Sequence, residues 1–173
     1  MNLDYSIDEV SYRLAAEADL PTVANMYDLL DGLLHEYGYN FPVVDGVGEK
    51  WLDIFRRTIG RFSVVYLAEY QGKVVGFILA RLKRVPEYLG GVMVGELKDM
   101  WVEPEVRRLG IGEKLLRLAI EWCWAQEVHS LEAQVFVSNE PIIKLIEYLG
   151  MKPELLQMRM MKGEYREADE GSF

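Results

Sequence analysis

Cysteine, long apolar runs and positive charge are all scarce in this sequence, and each shortage excludes a class of protein. Cys123 is the only cysteine, so no internal disulfide can form and a cysteine-based metal site is excluded. The longest apolar runs, such as residues 74–80, are far too short to span a membrane. Residues 1–10 are acidic and lack the apolar core of a signal peptide. We therefore expect a cytoplasmic protein that binds no membrane and no metal.

Lysine and arginine together number 19 against 28 aspartates and glutamates, which gives a formal net charge of −9. This balance argues against a nucleic-acid-binding surface, because phosphate backbones are bound by basic patches. Cationic small molecules or peptides suit an acidic protein better as partners. The chain has 173 residues, half of them hydrophobic. That is enough for one globular domain with a sizeable core.

Alternating and helical apolar spacings divide the chain into strands and helices. Strands are predicted over residues 12–15, 62–70, 73–83, 92–102, 130–137 and 155–161. Helices are predicted over residues 19–34, 49–58, 111–126 and 141–149, the second with Trp51, Ile54 and Phe55 facing inward. This order predicts an α/β fold of the α+β type, with a mixed, mostly antiparallel sheet flanked by helices. We expect a single domain over residues 1–162 and a charged, frayed tail over residues 163–173.

The most informative stretch is residues 102–112, where strand spacing changes to helical spacing. Arg107, Arg108, Gly110 and Gly112 lie at this change, next to the expected N-terminus of the third helix. A helix N-terminus carries unpaired N–H groups and the positive end of the helix dipole. Glycines let the backbone approach a ligand, and arginines add positive charge. The stretch therefore predicts an anion-binding turn for a phosphorylated cofactor.

This turn resembles the signature of the GNAT superfamily of acyl-CoA N-acyltransferases. That signature is Arg or Gln, two residues, Gly, one residue, then Gly or Ala, and it is matched by Arg107, Gly110 and Gly112. Further similarities are the lead-in at residues 102–105, Asn139 before a helix that ends in Leu-Gly-Met, and the opening Asp-Leu-Pro at residues 19–21. The resemblance extends over roughly residues 12–161 and implies a GNAT-like fold. We expect Asp19 to be the N-cap of the first helix.

The resemblance implies acetyl-CoA as the cofactor, with its pyrophosphate on the backbone N–H groups of the turn. Its pantetheine arm would pair with the preceding strand, and a backbone N–H near Met100 would be an oxyanion donor. Asn139 corresponds to a family asparagine that contacts this arm; it could also be the N-cap of the next helix, and the two roles can coexist. The implied cofactor-binding residues are Met100, Trp101, Val102, Arg107, Arg108, Leu109, Gly110, Ile111, Gly112, Glu113 and Asn139.

The acid–base groups are less well defined, and the base is one of two carboxylates. An amine must lose a proton before it can attack a thioester, so a base is needed near the strand before the turn. Glu96 and Asp99 are the candidates, although each could instead form a salt bridge. Strict alternation places Glu96 with Lys98 and Met100 on one face of the strand. It places Asp99 with Leu97 and Trp101 on the other. Lys98 stands where polyamine acetyltransferases tend to carry a glutamate.

The general acid departs from the family pattern. Many members carry a tyrosine seven residues after the asparagine, where this chain has Ile146. Tyr148 is rotated by roughly 200° from that position on a helix, so we expect it to be a packing residue. A tyrosine or water from the loop after the first helix could supply the proton; otherwise turnover is slow or absent. Gln134 and Ile146 together disfavour peptide N-terminal acetylation of the ribosomal-protein type.

The acceptor site is expected in a long loop over residues 35–48, the region that covers it in the family. His35, Glu36 and Tyr37, with Tyr39 nearby, could bind a cationic amine there, because aromatic rings and a carboxylate attract cations. The alternative is a loop packed by its own tyrosines. Cys123 lies among apolar helix residues, where burial makes a thiol inert, so direct transfer in a ternary complex is expected.

The sequence therefore predicts an N-acetyltransferase that uses acetyl-CoA and acts on a small-molecule amine or a peptide lysine. The alternative is an acyl-CoA-binding sensor or regulatory module with little or no turnover, suggested by Ile146. A homodimer is also expected, with the methionine-rich residues 158–161 of the last strand pairing across it.

Overall fold

A computed structural model describes residues 9–164 and shows one sheet with helices on both faces. Its strands are Val10–Leu14 (β1), Ser63–Tyr70 (β2), Lys73–Arg84 (β3), Met93–Val102 (β4) and Ser130–Ala133 (β5). Its helices are Leu20–Glu36 (α1), Val47–Phe55 (α2), Ile111–Ala125 (α3) and Glu140–Tyr148 (α4). The strands lie in the order β1-β2-β3-β4-β5, and every pairing is antiparallel except that of β4 with β5. The predicted fold class is confirmed; most of the predicted tail lies outside the described residues.

The two faces of the sheet bury two separate cores. One core packs α1 and α2 against residues such as Leu67, Phe77 and Trp101. The other packs α3 against residues such as Ile78, Ala80 and Leu97. In α2 the inward-facing stripe is Gly48, Trp51, Leu52 and Phe55. Ile54 was predicted to face inward and is 67% exposed, because at about 100° per residue it lies outside this stripe.

The close approach of α1 and α2 depends on Gly48. A Cβ added there would overlap the backbone carbonyl of Ala24 on α1. We expect Gly48→Ala to lower the free energy of unfolding by about 3 kcal/mol, because the helices must separate. Gly32→Ala is the matched control. A Cβ at Gly32 meets nothing within 4 Å, and alanine is a better helix former by about 0.5–1 kcal/mol. Urea titrations measure both; equal effects would contradict this account of the helix contact.

A β-bulge in β4 shifts, by one residue, which side chains of the strand point to each face of the sheet. Ile78 pairs with Met100, but Ala80 pairs with Leu97, so β4 advances three residues while β3 advances two. The extra residue lies at Lys98–Asp99. Strict alternation is therefore wrong here: Leu97 belongs to the α3 core, whereas Trp101 belongs to the α1–α2 core. Glu96 pairs with Arg81 and lies on the same face as Asp99.

The sheet opens between β4 and β5. These strands pair only over Val94–Leu97 and Ser130–Ala133. The predicted strand over residues 130–137 therefore ends at Ala133, whereas β4 continues to Val102. The edge of β4 beyond Leu97 faces this opening without a neighbouring strand among the described residues. Unpaired N–H and C=O groups on such an edge are available to a ligand.

Both ends of α1 differ from the prediction. Helix α1 extends to Glu36, so His35 and Glu36 lie in a helix and not in a loop. Asp19 occupies the predicted N-cap position of α1 but makes no side-chain hydrogen bond to the helix; its carboxylate accepts hydrogen bonds from Arg13 at 2.6 Å and from the backbone N–H of Ala16 at 2.7 Å. Because Arg13 and Ala16 already satisfy the carboxylate, it does not bind the unpaired N–H groups at the start of α1.

Residues 155–161 form no strand, and side chains such as Leu155 are exposed. The segment has no partner strand within residues 9–164, so its β-propensity alone does not make it a strand. The predicted homodimer stays a prediction, and the pairing of residues 158–161 across it would need a strand that the single chain does not form. Among residues 9–164, no helix is long and apolar enough to cross a membrane.

Candidate active site

The turn after β4 has the backbone geometry of an anion site. Arg108 has a φ of 66° and Gly110 a φ of 81°, so the chain turns sharply into α3. The Lys114 N–H donates to the Gly110 carbonyl at 3.0 Å. The N–H groups of Ile111, Gly112 and Glu113 precede that bond and have no helical partner. They point out of the helix N-terminus, where the dipole favours an anion.

The two arginines of the turn differ in what they contact. Arg107 donates from Nε to the Val102 carbonyl at 2.8 Å, and its guanidinium lies 4.7 Å from the centre of the Trp101 ring. Arg107 thus holds the turn to the end of β4. Arg108 is exposed and keeps its charge available. The Trp101 side chain is buried against α1 and α2, so only its backbone can reach the opening.

Gly112 and Asn139 border the opening from α3 and α4. A Cβ at Gly112 would lie 3.6 Å from Met100 Cε and 4.0 Å from Leu145 Cδ2, so Gly112 faces the space between β4 and α4. Asn139 occupies the N-cap position of α4 without a side-chain hydrogen bond to the helix. The side chain is therefore not used as a cap, and no hydrogen bond within residues 9–164 engages the side-chain amide, which leaves it available for a ligand contact.

Of the two candidate bases, Asp99 is the less compensated. It accepts a hydrogen bond of 2.8 Å from the indole N–H of Trp51 on α2. Burial raises the pKa of the Asp99 carboxyl, and the Trp51 bond and the charges of Lys98 and Arg81 offset this only in part. A raised pKa means that Asp99 holds a proton more readily than an exposed aspartate.

Glu96 has the opposite environment. It forms ion pairs with Arg81 and, at 3.5 Å, with Lys83. Burial alone would raise the pKa of Glu96, but the Arg81 hydrogen bond and the charges of Arg81 and Lys83 outweigh it and lower the pKa. For Glu96 the structure shows the salt-bridge alternative.

The predicted acceptor residues lie beside a cavity and not on its wall. The cavity measures about 360 Å³ and is lined by Tyr27, Asp31, Tyr39, Phe41, Pro42, Val44 and Val47. His35 Nε2 lies 3.6 Å from Asp31 Oδ2, Glu36 is exposed, and the Tyr37 carbonyl accepts a hydrogen bond from Ser138 Oγ. Sequence reasoning missed Tyr27 and Asp31. Their spacing of four residues on one helix face was the available signal.

The remaining predictions concern the general acid and the thiol. Ile146 is buried in the α3 core, whereas Tyr148 is 72% exposed, so the expectation that Tyr148 packs is wrong. Tyr39 packs edge-on to Phe136 with ring centres 6.0 Å apart, which brings a loop tyrosine towards α4. Cys123 is buried and its pKa is raised to about 11 by burial, so it stays a thiol. Within residues 9–164, no three His, Cys, Asp or Glu side chains converge as a metal site.

Comparison with known proteins gives a consistent family. The model of the acetyltransferase (GNAT) family matches residues 27–151. An N-alpha-acetyltransferase of Sulfurisphaera tokodaii is 31% identical over 118 residues, which are 62% of this chain and, at just under two thirds, 65% of that protein. A glucosamine 6-phosphate N-acetyltransferase of Trypanosoma brucei brucei is 26% identical over 155 residues, 89% of this chain and 97% of that protein.

A solved structure shares the fold. The crystal structure of a predicted acetyltransferase with acetyl-CoA from Clostridium acetobutylicum has a TM-score of 0.71 and 16% identity. The match covers 91% of this chain and 99% of that one.

Proposed function

Because the chain belongs to the acetyltransferase (GNAT) family and is an acetyl-CoA-dependent acetyltransferase, we propose that its acceptor is a primary amine. The acceptor is a small cationic amine or a lysine-like group, and transfer is direct, within a ternary complex. The net charge of −9 supports a cationic acceptor. Burial keeps Cys123 in its thiol form, so Cys123 is not suited to be an acyl-enzyme nucleophile. This supports direct transfer.

One observation carries this proposal: the end of β4 adjoins both an anion site and a base. On one side lie the sheet opening and the free N–H groups of α3. On the other lies Asp99, which is bonded to Trp51. The Trp51 ring stacks on Tyr27, a wall residue of the cavity formed by α1, the following loop and α2, called the α1–α2 cavity below. The coenzyme, when bound, supplies the thioester. The α3 N–H groups fit its pyrophosphate, and the Asn139 amide and the β4 backbone at Met100 fit its polar arm.

In this proposal Asp99 takes the proton that the amine must lose. An alkyl ammonium has a pKa of roughly 10, so its proton must pass to Asp99, directly or through water, before the nitrogen can attack the thioester. Burial helps, because a carboxylate in a low-dielectric site accepts a proton more readily. The leaving thiolate needs a proton in turn. Tyr39 is the proposed donor, since its ring packs against Phe136 just before α4.

The test is release of free thiol from acetyl-CoA with a panel of amines. The panel holds alkyl amines, diamines, aminoglycosides, amino sugars and lysine peptides with blocked N-termini. Peptides with a free N-terminus form a separate arm, because Gln134 and Ile146 argue against them although a relative is an N-alpha-acetyltransferase. Turnover on no amine would contradict the proposal.

A second candidate, a sensor of acyl-CoA without turnover, is favoured by Ile146, which is buried in the α3 core at the position where the family resemblance implies a general-acid tyrosine. Calorimetry with coenzyme A separates the candidates. Binding together with turnover supports the enzyme, binding alone supports the sensor, and absence of binding contradicts both.

The variant Trp51→Phe tests whether Asp99 is the base, by changing the pKa of the Asp99 carboxyl. The Trp51 N–H bond lowers the pKa of Asp99, so its loss raises that pKa further. Because the base must be deprotonated to act, kcat/KM falls as the pH drops through this pKa. In the variant we expect the fall to occur about half to one pH unit higher. Trp124→Phe, at a half-exposed tryptophan on α3, is the control. An unshifted profile in Trp51→Phe would argue against Asp99 as the base.

A further inference from the structure

Asp31 is an under-compensated carboxylate inside the α1–α2 cavity. Its side chain is only 13% exposed, and the one ion pair it forms within residues 9–164 is to His35 at 3.6 Å. That distance exceeds a hydrogen bond. Burying a carboxylate without strong partners is costly, so the residue is better suited to pairing with a bound cation than to stabilising the empty fold.

The rest of the cavity wall suits a cation with an alkyl chain. Three aromatic rings, Tyr27, Tyr39 and Phe41, line it together with aliphatic side chains. Aromatic faces attract ammonium groups and also accommodate methylene chains. Its volume of about 360 Å³ falls in the usual range for small-molecule sites, about 300–1,000 Å³. No lysine or arginine is among its lining residues; the Arg159 guanidinium lies beside one of them, 4.3 Å from the centre of the Phe41 ring.

Tyr27 links this cavity to the reacting site. Its ring stacks on Trp51 with centres 4.5 Å apart, and Trp51 in turn donates to Asp99. Burial raises the pKa of the Tyr27 phenol, and the charges of Asp99 and Asp31 both add to the rise. The charges of both carboxylates are therefore felt at the same phenol, that of Tyr27. Asp31 lies one helical turn beyond Tyr27 on the same face of α1.

We propose that Asp31 binds a second, non-reacting ammonium group of the acceptor while the first amine reacts beside Asp99. The preferred acceptors are then diamines and their longer relatives, and Asp31 is a specificity-determining residue. This inference rests on the proposed function and adds the substrate class. The aromatic wall of Tyr27 would contact the methylene chain between the two nitrogens.

The experiment compares amines that differ only in the second charge: putrescine with butylamine, and cadaverine with pentylamine. In the wild-type protein we expect kcat/KM to be higher for the diamine by about tenfold or more, because a carboxylate in a confined site pairs strongly with a cation. Asp31→Asn keeps the side-chain shape and removes the charge. It should abolish the preference and leave the monoamine within about twofold. Asp53→Asn, at an exposed position of α2, is the control and should change neither amine.

The outcomes separate the two proposals. Equal kcat/KM for both amines in the wild type, or an equal loss for both in Asp31→Asn, overturns the inference and leaves the acetyltransferase proposal standing. If no amine is acetylated, the proposed function fails. Calorimetry with putrescine and coenzyme A then tests whether Asp31 binds an ammonium group. Tighter putrescine binding to wild type than to Asp31→Asn supports the subsite, and equal binding overturns it. Unchanged affinity for coenzyme A shows that the variant is folded.

Discussion

Replacing Asp99 with asparagine is expected to lower kcat by about 10²–10⁴-fold, the usual contribution of a general base. Asparagine can still accept the 2.8 Å bond from Trp51, so the geometry of the site is kept. It cannot take a proton from the amine. Affinity for coenzyme A should be unchanged, because Asp99 faces α2 and not the β4–β5 opening. Steady-state kinetics with the best amine of the panel, with calorimetry for the coenzyme, measures both effects.

Glu96→Gln is the matched control for this variant. Glu96 lies on the same face of β4 but is neutralised by Arg81 and Lys83, so kcat should fall by less than about tenfold. A loss in Glu96→Gln as large as that in Asp99→Asn would contradict the assignment of the base to Asp99.

The stability of Asp99→Asn gives an independent check, and its sign follows from linkage. Burial raises the pKa of Asp99 in the folded state above its unfolded value. The contribution of this group to stability is therefore present below the unfolded pKa, about 4, and is lost as the pH rises through the folded pKa. The asparagine variant has no such loss. In thermal unfolding, the melting temperature of the variant should therefore rise relative to that of the wild type as the pH increases, although the variant has lost most of its activity.

Gly112→Leu is expected to weaken binding of coenzyme A by about 100-fold or more. The side chain would extend into the space between Met100 and Leu145, where the polar arm of the coenzyme is proposed to lie. Loss of contacts and of the close backbone approach together account for several kcal/mol. Calorimetry with coenzyme A measures the loss directly, without an acceptor.

Gly112→Ala is the control, because a Cβ there meets its neighbours only at 3.6 Å and beyond, which is ordinary contact. We expect binding within about tenfold of wild type. Equal binding by wild type and Gly112→Leu would mean that the coenzyme does not approach α3 at this glycine.

Local patterns predicted much of this molecule. The hairpin of β2 and β3, helix α3 and the turn before it were all predicted to within two residues, because their apolar spacing and glycines act within a few residues. The turn at residues 107–112 is such a case: its positive φ angles lie at Arg108 and Gly110, directly before the first residues of α3.

The errors lie where distant residues compete. Strand β5 ends at Ala133 because β4 diverges from it, and residues 155–161 form no strand because no neighbour pairs with them. Ile54 has helical spacing with other apolar residues, yet the crossing of α1 at Gly48 sets which stripe of α2 is buried. Apolar spacing alone does not predict the angle at which α1 and α2 cross.

The sequence by itself determined the family, the anion-binding turn and the pair of carboxylates to consider, since these depend on residue identity and short spacing. Only the tertiary structure distinguishes the environments of Glu96 and Asp99. The bulge at Lys98–Asp99 brings both to one face. Ion pairing with Arg81 and Lys83 of β3 then lowers the pKa of Glu96, whereas burial raises the pKa of Asp99. The cavity around Asp31 likewise exists only once α1, the following loop and α2 are assembled. A charge acquires its chemical role from the groups that surround it, and those groups come together only on folding.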